Sequence, residues 1–444
     1  MANPRLPSHP DAVNVEARLP RARHVVTGLA GVLAIVRLLN RLGFREVLRQ
    51  CDIVQGGYGA FQLAVGYLLR PFTGGRSVQS VAKSLQTDPI GSLLVGMPNR
   101  STVDRFIRRR RFAWRQVLRR MCCTVIELRR GMGEAILAID ETALQRSGQR
   151  IEGTHWVYDG STGRQVWGHQ PVGAVYATAG TTLPFDIAFP ERRPHATKHD
   201  VALEIVEHAV EMALPVSMVV FDGWYTQSTA LLRSIHALGL HWLGRLKSDR
   251  KLDVNGRRLS VQELIKHKGA EKWRRHDKYR RVRYKTVRAS LPEFGAVTVV
   301  LMHDPKLYDG DVVALVCSDP KARGQRLVRL YKQRWAIECV WRTGKQRLAL
   351  GECHHRTLHA AETHAVFCML AMNLVQLLRL GMPPEEVAET VGEVADALIP
   401  AMAVLIYDGE QVRMLMLGEP WTASYLQRLK RQLPQRSRWR QGAA

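Results

Sequence analysis

The 444-residue chain has room for two or three domains and a large buried core, and its composition is not that of a disordered polymer. Against 40 acidic side chains stand 65 lysines and arginines, a formal net charge of +25, so a polyanionic partner, nucleic acid above all, is the first physical expectation. Seven cysteines without CxxC spacing argue against a disulfide framework or zinc module, and the longest apolar stretches (25–36, and 365–380 with Asn373 and Gln376 inside it) are poor membrane spans.

Residues 1–20 are polar and proline-rich, a flexible lead-in without the apolar core of a signal peptide, and a cytoplasmic, nucleoid-associated location is expected. Helical periodicity starts at Val32, Ile35, Val36 and Leu39 and returns at Phe61, Ala64, Tyr67 and Leu68, so 21–130 reads as a helical, basic DNA-binding domain. Within it, 98–106 predicts a turn, a Ser or Thr N-cap and a short helix, the unit a helix-turn-helix uses. That helix runs into Arg108, Arg109, Arg110 and Arg111, and nine arginines with a single glutamate occupy 108–130, with Trp114 among them. A one-signed run of this kind favours phosphate contact over a merely solvated face.

The pattern changes near 131. Residues 135–139 form a short continuous apolar run ending in Asp140, as expected of a buried strand with a carboxylate at its end. Further strands are predicted over 165–169, 171–177 and 183–189, then a helix over 198–213. A second buried strand, 216–221, also ends in an acid, Asp222, and is followed by a helix over 226–238 and a strand over 240–245. One such Asp is as readily a turn cap as a functional group; two together point to a metal site held by a rigid sheet. These segments, 131–247 and 326–381, read as the two parts of a catalytic core around a β-rich insertion at 248–325. The insertion opens with a hairpin turning on Asn255-Gly256 and contains strands near 279–287, 296–302 and 312–317. Lys247 and Trp273, the latter interleaved with arginines, lysines and tyrosines, are candidate DNA contacts, although a basic edge strand looks the same.

Residues 330–345 predict a helix. At 100° per residue Tyr331, Arg334, Glu338 and Lys345 share a stripe about 60° wide, while Leu330, Ile337, Val340, Trp341 and Leu348 make a separate apolar face. Gly344 is the weak point, costing roughly 1 kcal/mol in a helix interior, and a break there would take Lys345 off the stripe. Cys353-His354-His355 is a weak metal-ligand pattern better read as structural or DNA-proximal. Residues 363–380 are a core helix, 384–398 an acidic amphipathic helix and 421–440 a basic, aromatic tail; 382–444 is a C-terminal region of its own.

Asp140, Asp222 and Glu338 come from distant parts of the chain, and three converging acids require cations to offset their repulsion. Their hard oxygen donors select two Mg²⁺ or Mn²⁺ ions. With these residues the chain resembles the DDE insertion-sequence transposases, and more narrowly the insertion sequence 4 family. Its third motif (Tyr, two residues, Arg, three residues, Glu, six residues, Lys) matches Tyr331, Arg334, Glu338 and Lys345 without a gap. Asp140 and Asp222 look like the first two motifs. The resemblance, over about 98–375, implies an α/β fold: an RNase H-like mixed sheet flanked by helices, with a β-rich insertion and a helical N-terminal domain. It also implies a transposase that cuts the ends of its element at terminal inverted repeats and joins the 3′ ends to target DNA. Asp140, Asp222 and Glu338 would carry the metals, with Tyr331, Arg334 and Lys345 on backbone phosphates. The reaction on two ends leads to the expectation of a dimer on DNA. The alternatives are a catalytically silent, transposase-derived DNA-binding protein and a metal-dependent nuclease without strand transfer.

Overall fold

The computed structural model describes residues 24–54, 58–73, 77–88, 99–109, 111–128, 133–269, 272–306, 311–380, 390–398, 402–407 and 412–417. The lead-in at 1–20, Arg110 and the tail at 421–440 lie outside them, as does most of the first half of the helix expected over 384–398. The chain divides into two compact units, Met1–Arg130 with Arg146–Thr154 and Arg342–Ala444, and Gly131–Gln145 with His155–Trp341.

Elements are numbered along the chain. The first unit contains helices α1 (Ala30–Arg41), α2 (Phe44–Gln50), α3 (Ala60–Leu68), α4 (Val78–Thr87), α5 (Arg100–Ile107), α6 (Trp114–Leu128), α12 (Leu358–Leu380) and α13 (Val391–Leu398). It is not purely helical: β1 (His24–Thr27) pairs antiparallel with β16 (Met402–Tyr407), which pairs with β17 (Val412–Leu417). This sheet joins segments some 380 positions apart, which local periodicity does not reveal. The cap of α5 is Asn99 rather than Ser101 or Thr102. Asn99 is the last extended residue before the helix, and its Oδ1 accepts from the Thr102 amide at 3.0 Å and from both hydroxyls at 2.9 Å.

The arginine run splits in two. On α6 the side chains of Trp114, Val117, Leu118, Met121, Cys122, Val125 and Ile126 are buried, and Arg119 is only 9% exposed. Trp114 packs at ring-centroid distances of 4.7 to 6.0 Å from Phe367, Phe106 and Phe112, so it is a core residue with no face left for a base. Periodicity at 3.6 residues, hidden under the charge count, decides this.

Helix α12 is long and apolar enough to cross a membrane by length and composition, but 89% of its apolar window is buried within the protein. It carries His364, one member of a buried polar network. The Tyr67 hydroxyl lies 3.1 Å from His355 Nε2 and 3.1 Å from His364 Nδ1. Arg70 Nη1 donates to the Tyr67 hydroxyl at 3.0 Å and to His364 Nδ1 at 2.8 Å, and His364 Nε2 lies 2.9 Å from the Ala349 carbonyl. His355, from the Cys-His-His pattern, is thus a hydrogen-bonding core residue. Burial pushes it down to about 4, and His364 well below the ordinary histidine range, so both rings are neutral, and His364 donates through Nε2 to the Ala349 carbonyl while Nδ1 accepts from Arg70.

The second unit is built on one mixed sheet. Strands β2 (Ile136–Glu141), β6 (Val172–Ala177) and β7 (Thr182–Ala188) are antiparallel neighbours, while β8 (Met218–Phe221) and β9 (Trp242–Arg245) run parallel to β2, giving the order β7-β6-β2-β8-β9. This is an RNase H-like core. Helices α7 (Lys198–Glu211) and α8 (Thr229–Ala237) supply the crossovers that parallel neighbours require. Residues 136–139 and 218–221 are 0% exposed, the burial on both faces that produces uninterrupted apolar runs.

The β-rich insertion does not form a separate sheet. From β9 the sheet continues through β15 (Val312–Cys317), β14 (Gly295–His303), β13 (Arg283–Leu291), β10 (Lys251–Val254) and β11 (Arg257–Ser260). The β10–β11 turn has Asn255 and Gly256 at φ 50° and 77°, the left-handed pair that an Asn-Gly hairpin supplies. Helix α9 (Val261–Gly269) follows this hairpin, and β12 (Arg274–Arg275) pairs with β13. A small sheet of β3 (Leu144–Gln145), β5 (Arg164–His169) and β4 (His155–Asp159) stands apart. Helices α10 (Gly324–Gln333) and α11 (Trp335–Arg347) complete the unit, the division between units falling within α11.

Candidate active site

The parallel pairing of β2 with β8 aligns Ala138 with Val220, and two residues further along each strand come Asp140 and Asp222. The two carboxylates therefore leave neighbouring strand ends side by side, on backbones spaced about 4.8 Å apart. Each is steadied by its own backbone. Asp222 Oδ1 accepts from the Trp224 amide at 2.9 Å, and Asp140 Oδ1 from the Glu141 amide at 3.0 Å.

Glu338 comes from α11, and the helix that carries it differs from the one expected. The break falls at Arg334, where α10 ends. The Arg334 amide bonds to Tyr331 O and the Ile337 amide to Arg334 O, both with i→i+3 spacing. At Gly344 the helix continues, through Lys345 to Arg347. A Cβ at Gly344 would lie 3.2 Å from Leu350 Cδ2, so the glycine allows close packing. The single continuous stripe is therefore interrupted between Tyr331 and Glu338, and Tyr331 is only 5% exposed.

Docking of α11 follows from a second glycine. Gly173 on β6 pairs with Asp140, and a Cβ there would come within 2.4 Å of Trp341 Cη2. Trp341, one turn beyond Glu338, lays its ring against bare backbone beside Asp140 and so fixes the approach of the helix. Arg334 closes the arrangement: Nη1 lies 3.4 Å from Asp140 Oδ2, and Nη2 donates to Glu338 Oε1. Its guanidinium carbon also sits 5.8 Å from the Tyr331 ring centre. Arg334 is thus held by two protein carboxylates. Lys345 is half-buried on the last turn of α11.

Asp140 is the strained member. Burial pushes its carboxyl up to about 8; Arg334 opposes the shift, and Glu141, Asp222 and Glu338 add to it. Burial also raises Asp222, with the Trp224 amide and Arg334 opposing and Glu141 reinforcing. Glu141 was missed in the sequence although it adjoins Asp140. Its Oε1 accepts from Lys198 Nζ at 2.7 Å and its Oε2 from the Tyr225 hydroxyl at 2.7 Å. Lys198 stands 4.2 Å over the Trp224 ring, whose plane stacks on His199 with centroids 4.0 Å apart. A carboxylate pair at a strand end, with an aromatic pair two residues beyond the second Asp, was the available signal.

The donor set fits a divalent cation in kind: neighbouring carboxylate oxygens, with the Asp140 carboxyl raised by burial and by the acids beside it, have the chemistry that Mg²⁺ or Mn²⁺ neutralises. Among the described residues, no group of three or more His, Cys, Asp or Glu side chains is spaced to hold one ion. Asp140 and Glu338 are instead bridged by Arg334.

Of the other candidates for DNA contact, Arg108 is exposed beside Asp104 at 3.6 Å, and Arg111 is exposed with its guanidinium carbon 5.2 Å from the Phe112 ring centre. Arg109 is half-buried, its carbonyl 2.9 Å from His359 Nε2. Lys247 is exposed, and Trp273 is half-buried with the Lys285 ammonium 4.9 Å from its ring centre.

The sequence-family match agrees with this geometry at the level of a superfamily. Curated proteins give no match. Among solved structures, the chain is similar to the cryo-EM structure of piggyBac transposase in a synaptic complex with hairpin DNA, at a TM-score of 0.44 and 11% identity, over 84% of this chain and 79% of that one. The sequence family described as DDE superfamily endonuclease matches residues 62–298, a span that holds Asp140 and Asp222 and ends before α11. That match covers more than half of the 444 residues, and the chain belongs to the DDE superfamily endonuclease family.

Proposed function

We propose that the protein is a metal-dependent DNA transposase of the DDE type, with Asp140, Asp222 and Glu338 as its catalytic carboxylates. The observation that carries this reading is the register of β2 on β8. It sets two aspartates side by side at the ends of parallel strands, with Glu338 tied to the first of them through Arg334. The spacing of Tyr331, Arg334, Glu338 and Lys345 supports a member of the insertion sequence 4 type, acting on terminal inverted repeats and target DNA. The net charge of +25 supports a nucleic-acid partner, and the exposed arginines at 108 and 111 support DNA contact by the N-terminal region.

Asp140 and Asp222 would hold Mg²⁺ or Mn²⁺, with Glu338 as the third ligand; such ions lower the pKa of a bound water and stabilise a leaving oxygen. The chain's own groups do the rest. Arg334 balances the negative charge of Asp140 and Glu338 and keeps them close. Glu141, held by Lys198 and Tyr225, fixes the end of β2 from its other side, because successive strand residues point to opposite faces. Trp341 against Gly173 sets the depth of α11.

The test is single replacement of Asp140, Asp222 or Glu338 by Ala, assayed with Mg²⁺ on DNA carrying the flanking repeats of the gene. Each should lower cleavage by about a thousandfold, about 4 kcal/mol in the barrier, while DNA binding persists. Cleavage at the wild-type rate by any one variant would remove that residue from the site. A strand-transfer assay on a pre-cut end separates a transposase from a nuclease that only hydrolyses, which releases fragments and forms no joint molecules.

A further inference from the structure

The second unit contains a cavity of about 420 Å³ whose wall includes Lys247, Arg250, Lys251 and Arg258 against two carboxylates, Asp249 and Glu293. Among the described residues no salt bridge engages any of the four cations; Arg250 instead donates to the Thr229 hydroxyl at 3.0 Å. Four cations with two anions leave a local excess of positive charge inside a concave surface, where the field of a cation is focused. The cavity is of a size that takes a small ligand.

Its position links it to the candidate active site. Thr226 and Gln227, which line it, follow Asp222 by four and five residues. The Thr226 hydroxyl lies 2.6 Å from the Arg245 carbonyl and 3.1 Å from that of Gly223, and Gln227 Nε2 donates to the Gly223 carbonyl at 3.3 Å. The cavity therefore opens at the carboxyl ends of β8 and β9, the edge at which open α/β sheets bind ligands. The β10–β11 hairpin presents Lys251 and Arg258 on strands pinned by their left-handed turn. No aromatic ring lines the cavity, so it offers no platform for a stacked base.

We propose that this cavity binds one phosphodiester unit of the DNA strand that runs past Asp222. The cations would take the phosphate oxygens, and Thr226 and Gln227 would stand beside the sugar. The inference rests on the DNA-endonuclease reading and adds to it a backbone site beyond the carboxylates, on the opening strands of the insertion.

The experiment uses the full chain carrying Lys251→Glu and Arg258→Glu together. A second variant, Lys251→Arg with Arg258→Lys, keeps the charge, and circular dichroism is used to verify that both fold. Binding of a fluorescent 20-nucleotide single strand is measured by anisotropy from 50 to 300 mM salt. The charge-reversed protein should bind about tenfold more weakly at 100 mM salt, and the magnitude of its log K against log salt slope should fall by about 0.7 for each phosphate it no longer neutralises. The charge-conserving variant should match wild type. A folded charge-reversed protein with the wild-type slope would overturn the inference while leaving Mg²⁺-dependent cleavage by wild type, and so the functional reading, intact. Wild type that neither binds the strand nor cleaves DNA would overturn both. Inorganic phosphate at 10 mM is the last arm: if it erases the difference between wild type and the reversed variant, the cavity is a site for the free anion and the strand assignment fails.

Discussion

Both units bury a cluster of polar side chains, and the two clusters are built on opposite principles. Around Tyr67 the groups are complementary: one guanidinium, one phenol and two neutral imidazoles donate and accept in turn, and the rings stay uncharged because burial disfavours their protonation. Around Asp140 the groups are alike. Carboxylates from β2, the β8 turn and α11 meet with Arg334 as counter-charge, and burial, reinforced by the neighbouring acids, pushes the Asp140 carboxyl up to about 8. A cluster that closes its hydrogen bonds within the protein serves the fold. One that is left with an excess of one charge is prepared for something the protein must bind.

The sharpest way to break this contrast is to relieve the excess. Asp140→Asn should reduce Mg²⁺-dependent cleavage by about a thousandfold and yet raise the melting temperature of the metal-free protein at pH 8, because it removes a carboxyl whose ionisation is opposed by burial and by the acids beside it. A variant that loses both activity and stability would place Asp140 with the structural cluster. The converse change, Tyr67→Phe, strips a hydroxyl shared by Arg70, His355 and His364 and should cost about 3 kcal/mol in denaturant unfolding, leaving cleavage per folded molecule unchanged. Loss of cleavage in fully folded Tyr67→Phe would show that the network is not confined to the fold.

A pH series sharpens the same point. The folded-state carboxyl of Asp140 is raised to about 8 from 3.8, so between these values the folded protein keeps a proton that the unfolded chain releases. Metal-free stability should therefore fall as pH rises through that window, with no contribution to the slope below it or above it. Melts from pH 5 to 8.5 in a chelator should show a decline for wild type that Asp140→Asn flattens; parallel curves would contradict the shift. The smallest effect belongs to Gly173→Ala. Its Cβ meets Trp341 at 2.4 Å, so α11 must lift away from β6, and cleavage should drop about tenfold with DNA affinity retained. An unchanged rate would mean that Trp341 does not set the position of Glu338.

How much of this was legible in the sequence depended on whether the signal was local. The buried strands ending in Asp140 and Asp222 were plain, because a strand covered on both faces has to be apolar throughout. The Asn255-Gly256 turn and the strand at 312–317 were equally clear. What pairing decides was hidden. The register of β2 on β8, the close approach of Trp341 to Gly173 and the sheet joining β1 to β16 rest on partners far apart in the chain. Charge counting also misled at Trp114, which it drew into a phosphate-binding run although 3.6-residue spacing places it in the core of α6, while the carboxylate partners of Arg334 could not be read from its motif. Gly344 invited a helix break on propensity grounds, but close packing with Leu350 outweighs a cost of about 1 kcal/mol.

The Arg334 bridge has a consequence for metal uptake on the proposed reading. Because a guanidinium already pairs with Glu338 and lies against Asp140, loading the site displaces an internal cation and the Asp140 proton and is not the simple filling of an anionic hole. Apparent affinity is lowered by whatever holds the arginine in place, and it rises once a DNA phosphate offers that arginine another anion. Metal and DNA binding would then be reciprocally coupled through a single side chain, each ligand tightening the other by the same factor.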